Sequence, residues 1–431
     1  MEVKKYQEAY EKLRGGRNNE PEWLLRLREE AMAAFIQRGF PTLRAEAWRY
    51  TDVTAITSAL FDADESLPSL TPGIIENLKK SSGGNFLLIV NGKFLKSHSR
   101  ITDAITVTDI GEAILSRPEL LEPHFNRIDA SVEDAFYSLN TAFFRSGVSI
   151  QVPEKLILKE PIQVVFYTDA GKENAVYYSR NVIVLGAGSK AVLVEKYFSS
   201  GEKKYFTNSV AEVVLEKGAV LDHAKIQDEG TEAFHVASTH ILQRHGSSFS
   251  SFLLSTGGKL ARNESRVTLH EEGAACSLNG LYLGDGAQVL DQQTYVEHSK
   301  PDGKSHQLFK GLLAGTSRGV FRGRVMVRQD AQRTDAHQTN KALLLSDTAK
   351  VDAEPQLEIL ADDVKCSHGA AIGQLQEDAL FYLRSRGIGE KEAGQILAQG
   401  FAREVIERPE LEFLKDVLLK FVNKKLEKQF T

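Results

Sequence analysis

Cysteine is nearly missing from this chain: its 431 residues include two, Cys276 and Cys366. Two thiols make no disulfide framework and supply too few ligands for a four-cysteine zinc or iron–sulfur site. A surplus of one charge is absent as well. Lys and Arg number 53 against 58 Asp and Glu, a formal charge of −5, which leaves no electrostatic footprint for nucleic acid. Long apolar runs are lacking too. The longest, Phe86–Val90 and Asn181–Leu185, are strand-length, far short of the roughly 18–20 residues of a membrane helix. The opening MEVKKYQEAYEKLRGG has no apolar stretch of the kind a secretory signal needs. The expectation is a cytoplasmic protein with neither membrane nor nucleic-acid partner.

Catalytic motifs are equally scarce. Gly303-Lys304-Ser305 ends like a P-loop, but His298 stands where the leading glycine belongs. Gly186-Ala187-Gly188 lacks the third glycine of a dinucleotide fingerprint and the helix that should follow. Eleven histidines are scattered with no His-Glu-x-x-His among them, and no Gly-x-Ser-x-Gly elbow occurs. His235 and His240, five apart, fall on opposite strand faces.

What the chain does contain is periodicity of two kinds. Residues 1–145 read as mostly helical: Asn19 as a cap with Pro21 just inside, then Leu24, Leu27, Ala31, Ala34 and Phe35 at helical spacing, stopped by Gly39. An amphipathic, aromatic segment, Pro41–Thr51, follows, and Asn91-Gly92 between two apolar runs signals a β-hairpin. From 146 to 373 short alternating runs of Val, Ile, Leu, Phe and Tyr predict strands. Within them Gly-[Ser/Ala] steps at Gly188, Gly218, Gly246 and Gly273 are separated by 30, 28 and 27 residues. Three residues after each glycine stand Ala191, Leu221, Phe249 and Cys276; Gly286 and Gly369 place Val289 and Ile372 at the same offset. Such a repeat suits a parallel β-solenoid, in which no coil is stable alone and stacking makes one continuous interior; a large sandwich or barrel is the competing architecture.

Residues 374–431 return to helical period, with stripes at Leu375, Ala379, Tyr382 and Leu383, at Ala393, Ile396, Leu397, Phe401 and Val405 up to Pro409, and at Leu414, Val417, Leu418 and Phe421. They are predicted to cap the open end of the solenoid, and they carry more apolar surface than a short cap must hide, so one of them should dock another protein.

Two thiols remain to be read. Cys276 sits at the inward offset, as a small buried hydrophobe or as a thiol or persulfide site inside the coil. Cys366 and His368, if extended, share a face about 7 Å apart. They are either two half-buried strand residues near a turn or two soft-to-borderline metal ligands. Two ligands are too few for a closed site, so a metal there would need groups from another chain.

Gln338–Ser346 (QTNKALLLS), Ala353–Ile359 (AEPQLEI), Ala361–Val364 (ADDV), Cys366–Ala370 (CSHGA) and Ile372–Leu375 (IGQL), followed by Ala379–Ile388 (ALFYLRSRGI), resemble the SufB/SufD family of iron–sulfur cluster assembly proteins. Glu46–Thr51 (EAWRYT), the length and the scarcity of cysteine resemble its SufD-type members. The resemblance implies a right-handed parallel β-helix with helical regions at both ends. It also implies a non-catalytic scaffold subunit that pairs with a SufB-like paralogue through the β-helices and docks a SufC-like ABC ATPase through C-terminal helices. No cofactor would be held stably by the chain alone. An iron–sulfur cluster would be assembled transiently at the interface with SufB, where His368 matches the histidine associated with the cluster site and Cys366 its neighbour. Leu375, Ala379, Tyr382, Leu383, Ile396 and Phe401 are the partner-binding candidates. Homodimerisation of the isolated chain stays open. From another class, a β-helical carbohydrate-active enzyme would need clustered acidic residues, and Asp362-Asp363 is the only acidic pair beside a plausible site; a purely structural solenoid would leave Cys366 and His368 unexplained.

Overall fold

The computed structural model describes residues 2–17, 19–59, 61–63, 70, 72–80, 84–125, 134–169, 172–408 and 411–429. In chain order its strands are β1 (Asp62–Ala63), β2 (Asn85–Val90), β3 (Lys93–Phe94), β4 (Thr106–Asp109), β5 (Val148–Val152), β6 (Ile162–Asp169), β7 (Ala175–Leu185), β8 (Lys190–Ser200), β9 (Tyr205–Leu215) and β10 (Val220–Asp228). They continue with β11 (Phe234–Gln243), β12 (Ser248–Ser255), β13 (Leu260–Leu269), β14 (Ala275–Gly284), β15 (Val289–His298), β16 (Lys304–Leu313), β17 (Arg318–Val327), β18 (Thr334–Leu344), β19 (Lys350–Ile359) and β20 (Val364–Gln374). The helices are α1 (Glu2–Arg14), α2 (Glu22–Arg38), α3 (Thr54–Ala59), α4 (Pro72–Lys80), α5 (Ile110–Ser116), α6 (Ala135–Phe143), α7 (Glu377–Ser385), α8 (Glu390–Ile406) and α9 (Glu412–Gln429).

From β5 onward successive strands alternate between two sheets, and from β7 each pairs in parallel with the strand two before it. The chain is a parallel β-solenoid. The even sheet shows how the repeat works: Ala191, Leu221, Phe249, Cys276, Ser305, Ala336 and Cys366 form one continuous register column, 27 to 31 residues per coil. Ala191, Leu221, Phe249 and Cys276 are all buried in the same lumen cluster, as the sequence repeat predicts. At each corner Gly188, Gly218, Gly246 and Gly273 takes φ between 62° and 70°, a left-handed turn that glycine enters without Cβ strain. The small residue after it, Ser189, Ala219, Ser247 or Ala274, tucks fully under the turn.

Two further steps do not belong to this column. Gly286 also turns left-handed, but it leads into β15 of the odd sheet, where Val289 packs outward beneath the N-terminal helices. Gly369 lies inside β20, and Ile372 is half exposed because no coil follows it.

The N-terminal end of the stack is closed. β2 extends the even sheet and folds back on β3 through Asn91 and Gly92, both with positive φ, and β4 runs antiparallel to β5. The helices cover the sides, not the C-terminal end that the sequence reading assigned to the last three. α1, α2, α5 and α6 pack on the outer face of the odd sheet around Phe206, Phe234, Val236 and Leu260. There Arg180, buried and ion-paired with Glu212, donates to Tyr137 Oη at 2.9 Å and Asn140 Oδ1 at 3.3 Å. α8 and α9 cover Val194, Ala224, Phe252, Leu254, Leu281 and Leu312 of the even sheet, because that outer face is apolar and would otherwise stay wet. Their inner stripe is narrower than predicted: α8 buries Ala393, Gly394, Ala398, Ala402 and Val405, letting the backbone approach, while Ile396 faces out. Pro21, not Asn19, occupies the N-cap of α2, and Gly39 ends it at φ 69°. Pro41–Thr51 is turns around one 3-10 turn at Glu46–Trp48. Pro409 lies outside the described residues.

The lumen is not uniformly greasy. Glu195 Oε2 lies 3.1 Å from His223 Nε2, Glu229 accepts from Thr207 at 2.8 Å, and Lys225 sits 4.7 Å over the Tyr197 ring, its pKa lowered by burial to about 8. His235 faces this interior against Tyr197, and His240 faces outward against Tyr137 of α6, so the two do lie on opposite faces.

Phe249 fills one coil and is stacked on by the next, so its truncation leaves a void that stacking keeps open. Phe249→Ala is expected to cost about 3–5 kcal/mol in urea unfolding, and Phe249→Asp, which buries an unpaired carboxylate, to abolish the cooperative transition.

Candidate functional site

The site grows out of the fact that the stack stops. Among the described residues β19 pairs only with β17 and β20 only with β18, so both sheets end there in bare edges at the C-terminal end of the solenoid. Every residue of β20 is half-buried or exposed, and Ile359, Leu360 and Ile372 leave apolar surface beside the edge. Unpaired N–H and C=O groups along such an edge are a template for another strand.

Cys366 and His368 stand on this last strand, side by side on its inward face. Cys366 continues the column of Ala336, and His368 that of Gln338. Cys366 is half-buried against the lumen cluster and His368 is exposed. Burial pushes the Cys366 thiol above its ordinary pKa, more than the backbone hydrogen bond with Ala336 lowers it. Near neutral pH it is therefore a protonated thiol, which yields thiolate as the pH rises or as a metal displaces the proton. Among the described residues no group of three or more His, Cys, Asp or Glu is placed to hold a metal.

Cys276 is in the same column three coils further in, about 14 Å away at 4.8 Å per strand, beyond disulfide reach. Burial alone raises its thiol to about 12. It is an inert hydrophobe in the lumen.

The C-terminal candidates divide into two groups. Leu375, Ala379 and Phe401 come together with Ile372 and Leu397 around an apolar groove of about 410 Å³ between β20, α7 and α8. Tyr382 points away to solvent beside Phe381, Leu383 is half-buried, and Ile396 is exposed on α8. No residue of α7 is buried. α8 is fastened by Lys310 of β16, buried beneath it, which pairs with Glu404, donates to the Phe401 carbonyl at 2.8 Å and lies 4.0 Å from the Phe401 ring centroid.

Sequence reasoning missed what the aromatic segment Glu46–Thr51 does. It straps four odd-sheet strands together: Arg262 lies 4.0 Å from the Trp48 ring, donates to the Ala47 carbonyl and pairs with Asp291, which accepts from Thr51 Oγ1 at 2.6 Å. Arg322 pairs with Glu46, and Tyr50 Oη donates to Glu354 Oε1 of the edge strand β19 at 2.8 Å. The signal was the charge pattern at Arg262, Asp291, Arg322 and Glu354, which only the coil register aligns.

The family described as SUF system FeS cluster assembly, SufBD core domain, matches residues 166–401, and the SufBD protein N-terminal region matches residues 2–164. The chain belongs to the SufBD family. Curated relatives cover nearly its whole length. The iron–sulfur cluster assembly protein SufD of Escherichia coli is 29% identical over 92% of each chain. An iron–sulfur cluster assembly SufBD family protein of Synechocystis is 30% identical over 89% of this chain and 87% of the relative. SufD of Bacillus subtilis is 24% identical over 95% of both. Family membership thus rests on the core and the N-terminal region together, and the open edge with Cys366 and His368 falls inside the matched core.

In native protein the two thiols should react very differently. Alkylation of Cys366 by iodoacetamide, followed by peptide mass spectrometry, should be slow at neutral pH and rise about tenfold per pH unit to above about pH 9, as thiolate chemistry under a raised pKa requires. Cys276 should stay unmodified until the protein unfolds.

Proposed function

We propose that this SufBD protein is the SufD-like, non-catalytic scaffold subunit of a cytoplasmic SufB–SufC–SufD complex. Its bare β19–β20 edge pairs with a SufB-like paralogue, and an iron–sulfur cluster, the cargo of the complex, is assembled at that junction and not held by the chain alone. The observation that carries the reading is the coincidence of the unpaired edge with Cys366 and His368. A strand edge that must be covered presents two ligand-type side chains without the further ligands a site needs. A covering strand from a partner would supply both the missing hydrogen bonds and the missing ligands.

In this reading His368 gives an imidazole nitrogen, borderline in softness, and Cys366 gives a thiol that deprotonates on metal contact. ATP hydrolysis belongs to a SufC-like subunit seated on the C-terminal helices, where Phe381 and Tyr382 of α7 expose aromatic surface next to the groove lined by Leu375, Ala379 and Phe401. Ile396 of α8, exposed, and Leu383 of α7, half-buried, are the remaining candidates for that contact. The segments 1–145, 146–373 and 374–431 then act as brace, scaffold and ATPase dock.

Iron and sulfide analysis of anaerobically purified complexes tests the first part. His368→Ala should keep partner binding and the unfolding transition and lose most of the cluster, with Cys366→Ser weaker in the same direction; an unchanged cluster content in His368→Ala overturns the assignment. Deleting the C-terminal helices is a poor test of docking, because α8 and α9 cover the apolar flank of the solenoid. The double variant Phe381→Asp, Tyr382→Asp alters exposed side chains alone. It should reduce co-purification of the ATPase at least tenfold with no change in melting temperature, and full retention of the ATPase would place the contact elsewhere.

A further inference from the structure

Behind His368 lies a short ladder of buried amides. Thr294 of β15 donates through Oγ1 to Gln307 Oε1 of β16 at 2.7 Å, crossing the lumen from the odd sheet to the even one. Gln338 of β18, next in register above Gln307, donates through Nε2 to the same oxygen at 3.2 Å. Both glutamines are buried, Gln338 almost completely. Its Oε1 is enclosed and has no hydrogen-bond partner. The side chain next in register beyond it is His368, one strand spacing of about 4.8 Å away on the same face.

A buried amide oxygen left without a donor costs about 1–3 kcal/mol, yet room has been made for this one. Opposite it, Gly323 of β17 interrupts a strand with no turn to explain it. A Cβ there would come within 2.0 Å of Gln338 Nε2 and 2.9 Å of Thr294 Oγ1. The strand gives up a side chain where the Gln338 amide lies across the lumen.

We propose that Gln338 is the positioning residue of His368. No hydrogen bond joins the two in the structure; a turn of the exposed His368 ring toward the lumen lets the free Oε1 accept its N–H, which fixes one imidazole tautomer and leaves the other nitrogen, with its lone pair, for a ligand at the solenoid mouth. Metal-binding histidines commonly donate their second ring N–H to a carbonyl or carboxylate in this way, which fixes orientation and raises basicity. The chain Thr294–Gln307–Gln338 is anchored in both sheets, so the acceptor it offers to the exposed ring is fixed in place. The use of this ring as a ligand rests on the function proposed above; its orientation by Gln338 does not.

The test therefore begins on the full chain alone. Two-bond proton–nitrogen spectra of protein labelled with ¹⁵N-histidine, recorded near about pH 8, above the ordinary imidazole range, report the tautomer. The His368 signals are those lost in His368→Ala. In the unaltered protein they should show one protonated and one bare nitrogen. Gln338→Leu, which removes the acceptor, should move both toward the averaged positions of a free ring, and Gln338→Glu, which keeps an acceptor oxygen, should restore the single tautomer. Gln338→Met serves if the leucine variant does not fold. Identical His368 signals with and without the acceptor overturn the proposal. In the anaerobic complex Gln338→Leu should lower the iron and sulfide content several-fold and Gln338→Glu should recover it. If His368→Ala leaves that content unchanged the ligand reading fails, while the tautomer still decides the role of Gln338.

Discussion

In-register parallel stacking is the constraint on which the rest of this structure depends. A single coil of about thirty residues buries little by itself, and its backbone hydrogen bonds point only to the coils above and below. Stability is therefore passed from neighbour to neighbour, and each end of the stack has to be dealt with separately. The N-terminal end is turned back on itself by the short antiparallel strands β3 and β4. The C-terminal end is left with two bare edges. The helices are spent on the outer faces of the two sheets, which are apolar and too broad to leave in water.

Position along the stack, more than residue type, then decides chemistry. Cys276 and Cys366 occupy one column and meet the same kind of wall. Three coils in, the thiol is sealed and its pKa rises to about 12; on the last coil it is half open and only raised. His235 is buried at full depth in the lumen and held down in pKa by that burial, whereas His368 stands exposed at the mouth. A charged group inside the stack has to bring its own partner, as Glu195 brings His223. One at the mouth can take a partner from another chain.

The coil was legible in the sequence because its corners need glycine in the left-handed region followed by a residue small enough to tuck under the turn. Gly188-Ser189, Gly218-Ala219, Gly246-Ser247 and Gly273-Ala274 write that geometry directly. The same two letters mislead at Gly286, a corner of the other sheet, and at Gly369, where the glycine is inside a strand. Spacing tells where turns recur but not which sheet they feed. Cys366 and His368 were legible as a pair because alternation in a strand places them on one face, and the family resemblance drew attention to them. Where the helices pack was not legible, since an apolar stripe says that a helix is covered without saying by what. α8 shows why: its closest contacts use Ala393, Gly394, Ala398 and Ala402, residues a hydrophobic stripe undervalues. The Glu46–Thr51 strap was invisible for a different reason. Its partners are 200 to 300 residues away and align only after the coils have stacked.

The two functional surfaces are one continuous piece of chain. β20 ends at Gln374, and α7 begins at Glu377, so two residues separate the strand that carries Cys366 and His368 from the helix that exposes Phe381 and Tyr382. The groove between them is lined from both sides, by Ile372 on the strand and Ala379 on the helix. A linker this short does not absorb much displacement. The flanking elements, in contrast, are fixed: α8 is held to β16 by Lys310 and Glu404, and β19 to the N-terminal strap by Glu354 and Tyr50. Under the proposed function, force applied to α7 by an ATPase has an anchored neighbour on each side and one element free to yield, the terminal strand β20. Its only in-sheet partner among the described residues is β18, whose Gln338 is next in register to His368. A shift of β20 along β18 would change which residue of β18 stands behind His368 before it disturbed any coil beneath.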